Sequence, residues 1–155
     1  MIRLRLYVFL AAAVAAGFIG FGNAGAEQPK TQTIKPAAPV APNANIDVVY
    51  YFMTTQRCPS CMKIESYTKE AVERTFAPAL KNGSMVWKMV NVDSSENNHF
   101  IKDYQLVSKS VVLVKMKGGK QVSWKNLDKV WELLNNKSAF QSYVVKEVNA
   151  FKEKG

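Results

Sequence analysis

The stretch IDVVYYFMTTQRCPSC, residues 46–61, decides the fold. Its first half, Ile46–Met53, is a nearly unbroken run of β-branched and aromatic residues. A run without polar alternation is the pattern of a strand covered on both faces, as in a parallel sheet. Residues 54–57 leave it as a loop, and Cys58 opens a helical stretch to about Phe76. Within it Cys61, Ile64, Thr68, Ala71, Val72, Thr75 and Phe76 recur at helical spacing. Pro59 suits a first helical turn, where its missing N–H is not needed. Pro78 and Asn82-Gly83 end the segment.

Toward the C-terminus, residues 85–92 (MVWKMVNV) read as a second strand. Asp93, Ser94 and Ser95 offer caps for a short helix through Phe100, Ile101 and Tyr104. Residues 111–115 form a third strand, Gly118-Gly119 a hairpin turn, and residues 120–124 a fourth strand. Leu127, Val130, Trp131 and Leu134 lie on one side of an amphipathic stretch, and Ser138-Ala139-Phe140-Gln141 reads as a capping box. It opens a last helix with Phe140, Tyr143, Val144, Val148 and Phe151 on one face. Trp87, Trp124 and Trp131 sit at core periodicities. The expected fold is α/β, with three layers: a central four-stranded mixed sheet and helices on both faces. Its first two strands form a parallel βαβ unit and its hairpin adds antiparallel strands.

Toward the N-terminus the composition changes. Arg3 and Arg5 precede an apolar run over residues 6–21, and Ala24-Gly25-Ala26 reads as a cleavage site. Residues 1–26 therefore read as a secretory signal peptide rather than a membrane span, which needs about 20 apolar residues. Residues 27–45 hold Pro29, Pro36, Pro39 and Pro42 among Ala, Thr, Gln, Lys and Asn, which is linker composition. The folded domain spans residues 46–155. The expected location is periplasmic or otherwise extracytoplasmic.

The chain carries a formal charge of +9, but its lysines are scattered and its arginines form no cluster. A solvated basic face accounts for this, and nucleic acid is not an expected partner. Only two cysteines are present, both in Cys58-Pro59-Ser60-Cys61. A disulfide scaffold would spread several along the chain, and so small a loop cannot staple a fold. A redox or metal role outranks a structural one.

With these elements in order, the chain resembles the thioredoxin superfamily over residues 46–154. The likeness is carried by VVYYF, Cys58-Pro59-Ser60-Cys61, the strand ending Val90-Asn91-Val92-Asp93, the segment 104–114 and the turn Lys117-Gly118-Gly119. More narrowly, the run from Arg57 to Ala71 is similar to small exported bacterial proteins grouped as the nitrophenyl compound nitroreductase subunit family. That group name brings neither a flavin nor a nitro substrate to this sequence, and no cofactor is expected. Against the superfamily pattern, Arg57 replaces the Trp before the first cysteine. Phe52 stands where a buried Asp assists proton transfer, and Ser110 stands where a cis-proline faces the disulfide. By the same resemblance Pro59, Ser60, Lys109 and Ser110 border the substrate groove.

The expected chemistry is thiol–disulfide exchange. The attacking species is a thiolate, so the thiol pKa near 8.5 must fall. Cys58 at a helix N-terminus meets unpaired N–H groups and the favourable end of the helix dipole. Arg57 adds a neighbouring positive charge that stabilises the thiolate. Cys61, one turn inside, is the resolving thiol. The direction of exchange is open, since the same dithiol arrangement spans about −270 to −120 mV. Expected partners are protein or small-molecule thiols and disulfides and a membrane redox partner, with the protein a monomer. The alternative is a soft-metal-binding or accessory protein without turnover, in which the two thiolates hold an ion such as Cu(I). His99 is either a third ligand or an exposed helix residue, and the latter is the plainer reading. No metal ligands are assigned. Glu65 and Asp93 read as a surface charge and a helix cap.

Overall fold

The computed structural model describes residues 45–154. The signal-peptide reading of 1–26 and nearly all of the 27–45 linker lie outside the described residues.

Strand β1 (Ile46–Met53) occupies an interior position in a four-stranded sheet of order β2-β1-β3-β4. Strand β2 (Met85–Asn91) runs parallel to it, with Phe52 beside Val90. Strand β3 (Ser110–Lys117) runs antiparallel on its other side, with Val49 beside Leu113 and Phe52 beside Ser110. Strand β4 (Lys120–Asn126) completes the sheet antiparallel to β3. The β3–β4 turn places Gly118 and Gly119 at φ of 56° and 75°. Two consecutive positive φ values follow the right-handed twist of a hairpin and favour glycine at both positions.

Helices cover both faces, as expected. On one face lie α1 (Pro59–Thr75), α2 (Ala77–Lys81) and α4 (Lys137–Glu153), packed on Val49, Tyr51, Val111 and Leu113. On the other, α3 (His99–Asp103) packs with Phe100 and Tyr104 against Val48, Phe52, Val112 and Val114. This double cover is why β1 and β3 show no polar alternation. Strand β4 instead exposes residues 120–123, and lysines on such an edge discourage pairing with another chain. Among the described residues no helix is long and apolar enough to cross a membrane.

Several local expectations are corrected. The first helix stops at Thr75, and Pro78 belongs to the first turn of α2, where its ring is tolerated, rather than ending the segment. The amphipathic stretch 127–134 holds only a short 3₁₀ turn, Asp128–Val130, and no α-helix. The Leu127 N–H donates to the carbonyl of Val111 at 2.9 Å, which ties the start of this stretch to β3. The last helix is capped by Asn136, not Ser138; its Oδ1 accepts from Ala139 N–H at 3.0 Å. Gln141, which would close the capping box, accepts from Arg74 at 3.3 Å. Trp87 and Trp124 pack at the margins of the two cores, but Trp131 is 36 % exposed and donates its indole N–H to the Lys109 carbonyl at 2.9 Å.

Candidate active site

The site is built where β1 gives way to α1. The loop between them is tied to the end of β2. Thr55 N–H donates to Asp93 Oδ2 at 2.7 Å, and Asn91 Nδ2 donates to Thr55 Oγ1 at 3.1 Å. Asp93 is thus a clamp on this loop and not the cap of α3, whose cap position is Asn98. The fixed loop delivers Cys58 to the N-cap of α1 in extended backbone, with Pro59 at the first helical position.

Cys58 and Cys61 are joined as a disulfide, with Cα atoms 5.0 Å apart. The two sulfurs sit in different surroundings. Cys58 is partly exposed, whereas Cys61 is 1 % exposed and belongs to the buried face of α1. The Cys61 N–H points at Cys58 Sγ, 3.1 Å away, and Met62 N–H closes on the Cys58 carbonyl at 3.0 Å. A sulfur in the N-cap role receives a helix N–H that would otherwise lack a partner, and it sits at the positive end of the helix dipole. The α1 first turn contains no acidic residue to oppose this.

Arg57 lies beside the motif, but its guanidinium is engaged. One nitrogen pairs with Glu65 and the other lies 2.8 Å from Met53 Sδ. Glu65 is therefore the counter-charge to Arg57 rather than an isolated surface charge. Neutralising it should leave Arg57 free to favour a Cys58 thiolate. In Glu65→Gln, alkylation of reduced Cys58 below pH 7 is expected to quicken about two- to fivefold, the scale of a partly exposed ion pair. An unchanged rate–pH profile would mean that the Arg57 charge does not reach the sulfur.

The face assignments of β1 bear directly on the site. Phe52, expected from the resemblance at the place of a proton-relaying acid, points away from α1 and packs among Tyr50, Phe100 and Tyr104 on the opposite face. Its neighbour Tyr51 points under the motif instead, fully buried, and its hydroxyl donates to the Cys61 carbonyl at 2.8 Å. Burial pushes the Tyr51 phenol up to about 12, with Arg57 lowering and Glu65 raising it by smaller amounts. Sequence reasoning missed Tyr51, because a run that is apolar on both faces does not say which residues share the helix side.

Pro59 is exposed and Ser60 partly so on the first turn. Lys109 and Ser110 stand at the start of β3, where Ser110 is buried beside Phe52 and donates to the Ser108 carbonyl at 2.9 Å. Lys109 lines an apolar cleft of about 240 Å³ with Met53, Thr54, Ile101, Leu106 and Val107; neither cysteine lines it. His99 is exposed on α3, 3.9 Å from Asp103 and on the sheet face opposite α1. Among the described residues no three His, Cys, Asp or Glu side chains converge into a metal-binding group.

No protein-family model matches this chain, and no curated protein matches it. Among solved structures it is similar to Trxlp from Edwardsiella tarda EIB202, at 16 % identity over 66 % of this chain and 85 % of that one, with a TM-score of 0.39. It is also similar to thioredoxin O2 from Arabidopsis thaliana in the oxidized state, at 17 % identity, covering 62 % and 76 % of the two chains, TM-score 0.36. A third is the Schistosoma mansoni thioredoxin pre-protein, at 22 % identity, 62 % and 80 % coverage and a TM-score of 0.35. The thioredoxin-like α/β fold itself follows from the order β2-β1-β3-β4, the single parallel pair and the disulfide at the start of α1.

Proposed function

We propose that this protein is an exported thiol–disulfide oxidoreductase in which Cys58 attacks and Cys61 resolves. The observation that carries this is the asymmetry of the pair. Cys58 Sγ is reachable and receives a helix N–H, while Cys61 is buried one turn inside the same helix. In the reducing direction the Cys58 thiolate attacks a substrate disulfide, expels one substrate thiolate and forms a mixed disulfide. Cys61 then attacks Cys58 Sγ, the second substrate thiolate leaves, and two electrons have passed from the pair to the substrate. The reverse sequence oxidises a dithiol.

Export rests on the leader pattern of residues 1–26, which matches a compartment where an exposed disulfide persists. The reading extends to a monomer that meets protein or small-molecule thiols and a membrane redox partner outside the cytoplasm. The likeness of residues 57–71 to the small exported nitroreductase-subunit group is consistent with that location. The direct test is turnover of a model protein disulfide such as insulin with dithiothreitol as the electron source. Acceleration above dithiothreitol alone, abolished in Cys58→Ser, is expected. A rate equal to the reagent alone, in both this assay and the converse oxidation of a reduced substrate, would overturn the proposal.

A further inference from the structure

A buried hydroxyl in an apolar layer needs a reason, because a phenylalanine would fill the same space without the desolvation cost. Tyr51 lies in the core between β1 and α1, alongside Val49, Ile64 and Val111. Its hydroxyl donates to the carbonyl of Cys61 across ten residues of sequence. That carbonyl already faces the N–H of Glu65 one turn on within α1, so satisfying it does not require the tyrosine. The bond is an addition, and it is aimed at the residue whose own N–H addresses Cys58 Sγ.

We propose that Tyr51 is a positioning residue that sets the dithiol–disulfide equilibrium of Cys58 and Cys61 by holding the Cys61 carbonyl from the sheet. The inference rests on the redox reading of the pair and adds its regulator. In the disulfide, the S–S bond itself keeps Cys58 Sγ against Cys61 N–H, and the tyrosine bond is redundant for that geometry. When two electrons open the pair, the covalent tie is gone. The Tyr51 bond then remains to hold the first turn of α1 to the sheet, with Cys61 N–H aimed at the Cys58 thiolate. The bond therefore favours the dithiol more than the disulfide. A phenol with its pKa near 12 stays a neutral donor through the whole range in which thiols titrate. The charges facing the site, Arg57 and Glu65, pair with each other and do not compete for this hydroxyl.

The test is Tyr51→Phe, which keeps the ring and removes one oxygen. The protein is equilibrated in glutathione or dithiothreitol buffers, where the two protein thiols give two electrons and two protons to the buffer disulfide. Alkylated thiols are then counted by mass. The equilibrium is expected to move toward the protein disulfide by about two- to tenfold, the weight of one net hydrogen bond. The pH at which reduced Cys58 becomes reactive should rise with it. Thr68→Val is the control, since Thr68 is a buried α1 hydroxyl with no partner, and it should move neither reading. An unchanged equilibrium in Tyr51→Phe, or an equal shift in Thr68→Val, would overturn the assignment. Failure of wild-type turnover would instead overturn the oxidoreductase reading, because the equilibrium is measured without any substrate.

Discussion

Cys61→Ala should arrest the reaction at its midpoint and leave a substrate covalently held on Cys58. Cys58 keeps its N-cap position and its contact with the residue-61 N–H, neither of which depends on the second sulfur. Attack therefore proceeds and a mixed disulfide forms. Release requires a thiol one turn inside the helix, and alanine supplies none. Turnover of a model disulfide should fall to the dithiothreitol background, while a species of protein plus substrate mass accumulates under non-reducing conditions. Losing a single buried sulfur is a small truncation, so the domain should stay folded. Mass spectrometry of the trapped adduct from the native compartment would also identify the physiological substrate. Undiminished turnover in this variant would show that Cys61 is not the resolving thiol.

Phe52→Asp tests the face assignment of β1, with an expected loss of most of the domain's stability and no gain in rate. Phe52 is 1 % exposed, with the rings of Tyr50, Phe100 and Tyr104 centred 5.2–5.3 Å from it or close behind. Removing the ring costs about 3–5 kcal/mol. The carboxylate adds a desolvation penalty among the apolar and aromatic side chains packed around position 52. Against a total of about 5–15 kcal/mol for a domain, the native state has little margin left. Burial would hold the folded-state pKa of the new carboxyl above its unfolded value near 3.9. The neutral acid is then tolerated at low pH, and stability is lost as pH rises from the unfolded pKa through the folded one. Urea unfolding at pH 4 and pH 7 should show the variant more stable at the lower pH relative to wild type. A stable, faster enzyme at pH 7 would mean that position 52 reaches the disulfide after all.

What the sequence made legible is what local rules and one-dimensional patterns can carry. The doubly buried β1, the parallel step into β2, the glycine hairpin and Pro59 at the start of α1 all follow from residue type and short spacing. So does the position of Cys58 at the helix end. The misreadings arise where two local rules compete or where a partner comes from far along the chain. Asn136 and Ser138 are both good caps; Asn136 takes the role, and Gln141 meets Arg74, 67 residues away in sequence, instead of closing a box with Ser138. Leu127 to Leu134 has apolar residues at helical spacing, yet only a three-residue 3₁₀ turn forms there, tied to β3 through the Leu127 N–H. Arg57 and Glu65 belong to a loop and a helix eight residues apart, a separation that no helix-pair rule covers. Tyr51 and Phe52 are adjacent, apolar and aromatic, and only the packing of α1 separates their roles.

The interior position of β1 also shapes how the chain reaches its fold. One of its hydrogen-bonding edges is completed by β2, some forty residues on, and the other by β3, more than sixty residues on. The first strand to emerge is thus a solitary apolar ribbon until most of the domain has followed it, and such long-range pairing is slow because loop closure precedes the contacts that reward it. The two cysteines have no such wait: only three positions apart, they can meet in an unfolded chain. Oxidation of the pair and formation of the sheet are therefore separable events, so a reductase or oxidase acting on the unfolded chain could set the state of the thiols before the sheet has closed around Cys61.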